Sequence, residues 1–323
     1  MLTLILAETG ARLLGYRPWQ VKQFDIRVEP GGKFFQSHPA LGYTNLPGQF
    51  KVTINGSYTF RATNLESTLR VTHPLDTYAA ASERPEVWVF GDSVTYGWSV
   101  SDEESYVWLL QSALSDYEVV NFGVSGYGNV HSLIQLREAL ESKRPPKLAV
   151  LAYASWMDVR NTFIRGRRKA LATSKNLGPV NQPYARLSGE GRLEIFMDTA
   201  EFKEFPLMRR SALMHALEEV YDRYEERNAR SHEVTRAIFK EIIELCRRRG
   251  IELVVAYVTH DAVTDALMEY CKSEGVKTAD LFVDTTVKEN NNLPFDSHPS
   301  ALAHRQYARK LEEYLRANVI KER

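Results

Sequence analysis

From residue 86 onward, short apolar runs alternate with amphipathic stretches along the chain. Residues 87–90 (Val-Trp-Val-Phe) make an unbroken apolar run that a Gly-Asp-Ser turn stops abruptly, which predicts a buried parallel strand. Similar runs at 119–122, 148–153, 251–258 and 276–281 predict four further strands. Helical spacing of apolar residues at 106–114, 130–142, 261–273 and 299–317 predicts the intervening and closing helices, and Pro299 suits the first helical position of the last one. Strands that alternate with helices imply a parallel sheet with right-handed crossovers, hence an α/β domain over 86–323.

The pattern before residue 86 is different. Residues 15–85 are rich in turn residues and short alternating runs, and Asn55-Gly56 between two such runs is a strong hairpin signal. This segment is expected to be a small β-rich appendage able to wall one side of a cleft. His38 and His73 each precede a proline there and are expected at the surface, without a role. Residues 1–14 read as one amphipathic helix, with Glu8 and Arg12 four apart. The apolar start, Met1 to Ala7, is much shorter than the roughly 20 residues that span a bilayer. Two expectations follow for it: an ordinary packing helix, which suits a cytoplasmic protein, or the last turns of a membrane anchor, which would place the domain on the periplasmic or extracellular side.

A long stretch at 160–250 separates the third and fourth predicted strands. Its first half is loop-like, with Gly178-Pro179 and Gln182-Pro183, and charged helices follow from about residue 211. The part at about 160–230 is expected to be an insertion in the α/β domain, a candidate lid over a cleft. Its basic cluster, Arg165-Gly-Arg-Arg-Lys169, is expected to be a solvated surface, and without interleaved aromatics it does not suggest nucleic acid.

Charge and composition narrow the classes further. The 323 residues carry 41 Lys plus Arg against 41 Asp plus Glu, so no net field favours nucleic acid or an acidic surface. Cys246 and Cys271 make no metal-type spacing and are expected to be buried small residues. Gly123-Val-Ser-Gly-Tyr-Gly128 does not have the order of the dinucleotide fingerprint. Val94 stands where a Gly-Asp metallophosphatase would place a histidine, and no HExxH occurs, so neither metal nor cofactor is expected.

What remains is nucleophile chemistry. Ser93 falls where the first strand gives way to a helix, at the carboxyl edge of the sheet, where open α/β sheets keep their ligands. A serine there exposes its hydroxyl and has an N–H left unpaired by the helix start. His298 stands directly before the closing helix, two residues after Asp296, so one loop can deliver a base and the carboxylate that orients it. His260, at the end of the fourth strand, is the rival base, and His304 is expected to be surface or packing. Asp92 is expected to cap the helix that Ser93 begins.

Phe90-Gly-Asp-Ser93, then Gly123 to Gly128, then Asp296-x-His298-Pro resemble, in that order, the SGNH/GDSL hydrolase family over roughly residues 86–318. The resemblance implies a flavodoxin-like, three-layer parallel sheet (the SGNH hydrolase fold), with the β-rich appendage in front. It implies hydrolysis of oxygen esters, of a small molecule, lipid or glycan, through an acyl-enzyme on Ser93 with His298 and Asp296. It also implies an oxyanion hole formed by the N–H groups of Ser93 and Gly126 and by an asparagine side chain after the third strand. In the run Ala154-Ser-Trp-Met-Asp-Val-Arg-Asn161, Asp158 matches the family's aspartate, but Met157 takes the asparagine's place. Asn161 and the Ser155 hydroxyl are the candidate substitutes, and Met157→Asn is expected to raise turnover if the hole is incomplete. Trp156, Met157, Tyr127 and Trp98 are the expected substrate contacts. The alternatives are a glycan O-acyltransferase, or a catalytically weak binding module of the same fold.

Overall fold

A computed structural model describes residues 2–21, 25–78, 84–172 and 181–320. The helix Leu2–Leu13 comes first. Five short strands follow: β1 (Ile26–Glu29), β2 (Phe35–His38), β3 (Gly42–Asn45), β4 (Gly48–Ile54) and β5 (Tyr58–Asn64). β1, β4 and β5 pair antiparallel, and β2 with β3 makes a separate ribbon. The β4–β5 turn uses Asn55 and Gly56 at φ of 50° and 69°, the left-handed conformation that this residue pair tolerates best.

The remaining strands are β6 (Glu86–Phe90), β7 (Glu118–Asn121), β8 (Leu148–Tyr153), β9 (Asn181–Leu187), β10 (Leu193–Thr199), β11 (Glu252–Tyr257) and β12 (Lys277–Asp280). β9 and β10 form a hairpin, while the other five make a parallel sheet in the order β12-β11-β8-β6-β7. Counting only the sheet's own strands along the chain, this is the 2-1-3-4-5 order of flavodoxin-like folds. The fold is therefore a three-layer α/β sheet with additional antiparallel strands at its N-terminal side.

The sheet is buried on both faces, which is why its strands are apolar without interruption. Trp88, Phe90, Leu151 and Val255 point to one side, against the helices Asn129–Ser142, Ser231–Arg249 and Ala262–Ser273. Val87, Val89, Val150 and Val254 point to the other, against Tyr106–Ala113 and Ala301–Asn318. Each fully buried aliphatic side chain contributes about 1.5–3 kcal/mol relative to exposure, so this double core dominates stability. The appendage shares a core with the domain behind it: Phe34, Phe50 and Phe60 pack on Tyr96 and Trp98. Arg70, 1% exposed, binds Asp102 Oδ1 through Nε at 3.0 Å and the carbonyls of Tyr96 and Val100 at 2.8 Å each.

Several expectations need correction. Pro299 lies one residue before Ser300, whose hydroxyl caps the closing helix. His73 is buried, with Nε2 2.7 Å from Glu118 and Nδ1 2.6 Å from Thr77 Oγ1, because the loop folds back onto the start of β7. The first half of the insertion is not mainly loop: it contains the helices Asp158–Thr162 and Arg165–Ala172 and the β9–β10 hairpin, while Gly178-Pro179 lies outside the described residues. The basic cluster is not a solvated surface either. The helix Ala212–Ala229 presents Glu218 and Asp222 to it, and Lys169 Nζ lies 2.5 Å from Glu218. Arg168 pairs with Asp198 at 2.7 Å. Both cysteines are buried and free. Among the described residues, no helix is long and apolar enough to cross a membrane.

Candidate active site

β6 ends at Gly91, where an added Cβ would come within 2.1 Å of Thr95 Oγ1, so the sharp turn requires a bare backbone. Asp92 caps the short helix Ser93–Tyr96 by accepting the Val94 N–H at 2.9 Å. Its other oxygen accepts from Trp156 Nε1 at 2.9 Å and from Arg160 Nη1 at 2.8 Å. One buried carboxylate thus ties the turn after β6 to the turn after β8. Those two strands are neighbours from which the chain continues in opposite directions, the place where such sheets open a crevice.

Ser93 begins its helix, and its N–H makes no hydrogen bond among the described residues. Its Oγ lies 3.0 Å from His298 Nε2, and His298 Nδ1 lies 2.7 Å from Asp296 Oδ1. The His298 backbone N–H also reaches Asp296 Oδ1 at 3.3 Å, and the Ser99 hydroxyl donates to Asp296 Oδ2. Burial by itself would raise the Asp296 carboxyl. The hydrogen bond and charge of His298, together with the Ser99 hydroxyl, outweigh it and hold the group below the ordinary carboxylate value.

The loop that carries Asp296 and His298 is braced by the appendage. Tyr58 stacks on Phe295 with ring centroids 5.7 Å apart, and Asn55 Nδ2 donates to the Phe295 carbonyl at 3.1 Å. The Ser99 carbonyl accepts from Tyr58 Oη at 2.5 Å and from Asn292 Nδ2 at 3.2 Å. Ser99 is fully buried at φ 67°, a left-handed conformation costly for a residue with a Cβ. The β4–β5 hairpin, the turn after Ser93 and the loop that carries His298 therefore meet at this one serine.

Ser93 and His298 open onto a cavity of about 290 Å³ whose walls include Val258, Thr259, Phe282, Val283, Trp156 and Arg160. Arg160 Nη1 also donates to the Tyr127 carbonyl at 2.9 Å, which fixes the guanidinium at the wall. Gly126 adopts φ 86° against Tyr43 Oη and Arg167, where a Cβ would come within 2.5 Å of that hydroxyl. Its N–H is unbonded among the described residues, while its carbonyl accepts from Arg167. Gly126 itself does not line the cavity.

Other expected site residues lie elsewhere. Met157 is 2% exposed and packs in the core, because the turn Ser155–Met157 directs Trp156 outward and Met157 inward. Asn161 is fully buried; its Oδ1 accepts from Val130 N–H at 3.0 Å and its Nδ2 donates to Thr235 Oγ1 at 2.8 Å, so its amide is spent on joining helices. Tyr127 is fully buried, stacks on His131 and donates to the Tyr43 carbonyl. Trp98 belongs to the core shared with the appendage. Of the four expected substrate contacts, only Trp156, 41% exposed, reaches the cavity. Ser155 donates its N–H to Thr259 Oγ1 at 3.2 Å. His260 pairs with Asp280 at 3.0 Å and stacks on Phe282, while buried His304 accepts the Tyr106 N–H at 3.1 Å.

Sequence reasoning missed Ser99 and Arg160. Arg160 had an available signal, since it stands four residues after Trp156 and so shares a helical face with it. Ser99 had none, because a buried serine with positive φ leaves no mark in spacing or composition.

No family model matches the chain, and no curated protein matches it. Solved structures resemble it weakly. One is that of TesA, 14% identical, covering 72% of this chain and 98% of that one, with a TM-score of 0.44. A member of the lipolytic protein G-D-S-L family from Veillonella parvula DSM 2008 is 13% identical over 71% of this chain and 96% of that one, with a TM-score of 0.41. A mutant of the esterase AlinE4 is 15% identical over 74% of this chain and 98% of that one, with a TM-score of 0.39. At such identities and scores the overlap fixes neither reaction nor substrate, which must come from the geometry around Ser93.

Proposed function

We propose that this chain is a serine-dependent ester hydrolase that works through an acyl-enzyme on Ser93. The observation that carries this reading is the continuous chain Ser93 Oγ, His298 Nε2, His298 Nδ1, Asp296 Oδ1, with steps of 3.0 and 2.7 Å at the mouth of a cavity.

In this reading His298 Nε2 takes the Ser93 proton as Oγ attacks the ester carbonyl, and returns it to the departing alcohol. Water then attacks the acyl-enzyme, giving up its proton to the same nitrogen, and the acid leaves as Ser93 recovers its hydrogen. Asp296 holds Nδ1–H and stabilises the imidazolium. The Ser93 N–H is the proposed oxyanion donor, and Arg160 brings a charged donor to the same cavity, which the expected second donor, Gly126, does not line. One such donor is worth on the order of 10²–10³ in kcat. A cavity of about 290 Å³ suits a short acyl group, being at the small end for ligand sites.

A fluorophosphonate probe tests the nucleophile. Labelling should require both Ser93 and His298 and should disappear in Ser93→Ala and His298→Ala. Persistent labelling of Ser93→Ala, or none of the unaltered protein, removes this function and leaves the binding-module reading. Release of acetate from p-nitrophenyl acetate to water, against transfer to an added saccharide, separates hydrolase from acyltransferase.

A further inference from the structure

Of the oxyanion donors that the SGNH/GDSL pattern supplies, the Ser93 cavity keeps the Ser93 N–H and lacks the rest. Met157 packs in the core, and the Asn161 amide is spent between helices. Gly126 does not line the cavity, and the Val94 N–H beside the nucleophile is taken by Asp92 Oδ1 at 2.9 Å. A single neutral N–H is little to set against the full charge of a tetrahedral intermediate.

Arg160 is the one guanidinium among the described residues that line this cavity. Its Nη1 donates to Asp92 Oδ2 at 2.8 Å and to the Tyr127 carbonyl at 2.9 Å. Both bonds use the same nitrogen, so the group is held in place while Nη2 and Nε make no hydrogen bond among the described residues. The side chain is 18% exposed, and neither of those nitrogens is sealed from solvent. Asp92 cancels the charge of the pair as a whole, so this wall does not select an anionic substrate. Its carboxylate oxygens are turned to Val94, Trp156 and Arg160. What remains is a fixed donor that acts on charge only as it develops nearby.

We propose that Arg160 is the second oxyanion donor, a guanidinium doing here what an asparagine side chain does in the family pattern. The inference rests on the esterase reading of Ser93. As Ser93 Oγ bonds to the carbonyl carbon, its proton passes to His298 Nε2 and the carbonyl π pair moves onto oxygen. That oxygen then accepts from the Ser93 N–H and from a free N–H of Arg160. The pair returns to carbon as the bond to the alcohol oxygen breaks, and the alcohol takes the proton from His298. A hydrogen bond from a charged donor is roughly twice as strong as a neutral one, so the guanidinium offsets a missing amide.

The test compares p-nitrophenyl acetate with p-nitrophenyl thionoacetate, which differ only in the atom that becomes the anion. Sulfur accepts hydrogen bonds weakly, so donors aimed at that atom favour the oxygen ester. Arg160→Lys keeps a cation beside Asp92 without the fork, and Arg160→Gln keeps a donor without the charge. Each should lower kcat for the oxygen ester about 100-fold at little change in KM, and narrow the oxygen-to-sulfur rate ratio about tenfold. The affinity for methylboronic acid, whose serine adduct is tetrahedral and anionic, should weaken in parallel. If Arg160 serves only to hold Asp92 and the Tyr127 carbonyl, both esters slow equally and the ratio stays, which overturns the proposal. So does a ratio in the unaltered protein no larger than that for hydroxide in water, a measurement that needs no variant. Turnover with an unchanged ratio removes this proposal alone. No turnover of either ester and no boronate binding by the unaltered protein removes the esterase reading and this proposal with it.

Discussion

Ser99→Ala is the most informative single change near the site, because it removes one hydroxyl from a carboxylate that otherwise keeps all its partners. Ser99 donates to Asp296 Oδ2, while Oδ1 remains bound to His298 Nδ1 at 2.7 Å and to the His298 N–H at 3.3 Å. A hydrogen bond to a charged group is worth about 1.5–3 kcal/mol, which as a pure loss in the transition state would be about 10–150-fold in rate. Two donors remain on the carboxylate, so the expected fall in kcat is near the lower bound, about tenfold. The pH profile supplies the sign. Without the hydroxyl the Asp296 carboxyl loses one of the interactions that hold it below its ordinary value, so it moves up and the acid limb of kcat/KM moves to higher pH. Ser99→Gly separates this effect from folding: it removes the same hydroxyl but relieves the φ of 67°, recovering about 1 kcal/mol of backbone strain. Stopped assays of ester hydrolysis from about pH 3 to 8, a range that brackets the ordinary carboxylate value, and denaturant melts of both variants make the comparison. If both variants keep full kcat and an unshifted acid limb, Ser99 does not position the base.

Two other substitutions follow from the placement of side chains. Met157→Asn buries an unpartnered amide in the core and should cost about 2–4 kcal/mol in a denaturant melt without raising turnover; a gain in esterase rate would mean that residue 157 reaches the oxyanion after all. Burial lowers His304 to about 3, so the folded state resists its protonation while the unfolded chain takes the proton near the ordinary histidine value. The stability it contributes is present above that unfolded value and is lost as pH falls toward the folded one, about 2 kcal/mol between pH 7 and pH 5. His304→Gln should flatten the pH dependence of unfolding by that amount, and an unchanged slope would contradict it.

The parallel sheet was legible because its signal is physical and local: strands buried on both faces must be apolar throughout, and Val87 to Phe90 or Leu148 to Tyr153 have no other use for such a run. Ser93, His298 and Asp296 were legible for a related reason, since a turn at the end of a strand and a turn before a helix both leave short sequence marks. The walls of the site were not. Whether Trp156 or Met157 faces the crevice depends on about a third of a helical turn, which spacing cannot resolve. The fate of Asn161 and Tyr127 was decided by elements packed from distant parts of the chain, the helix carrying Thr235 in one case and the strand carrying Tyr43, whose carbonyl takes the Tyr127 hydroxyl, in the other. The basic run Arg165 to Lys169 looked solvated because its acidic partners Glu218 and Asp222 stand far along the chain, on a later helix.

The whole mechanism turns on a covalent acyl group forming on Ser93. Rapid mixing with p-nitrophenyl acetate, acid quenching within the first turnover and mass spectrometry of the peptide spanning Ser93 look for that group itself. The expected result is a burst of nitrophenol matched by an acetyl adduct on Ser93, with both absent in His298→Ala. Hydrolysis with no burst and no adduct under any quench, or an adduct at another residue, would contradict it.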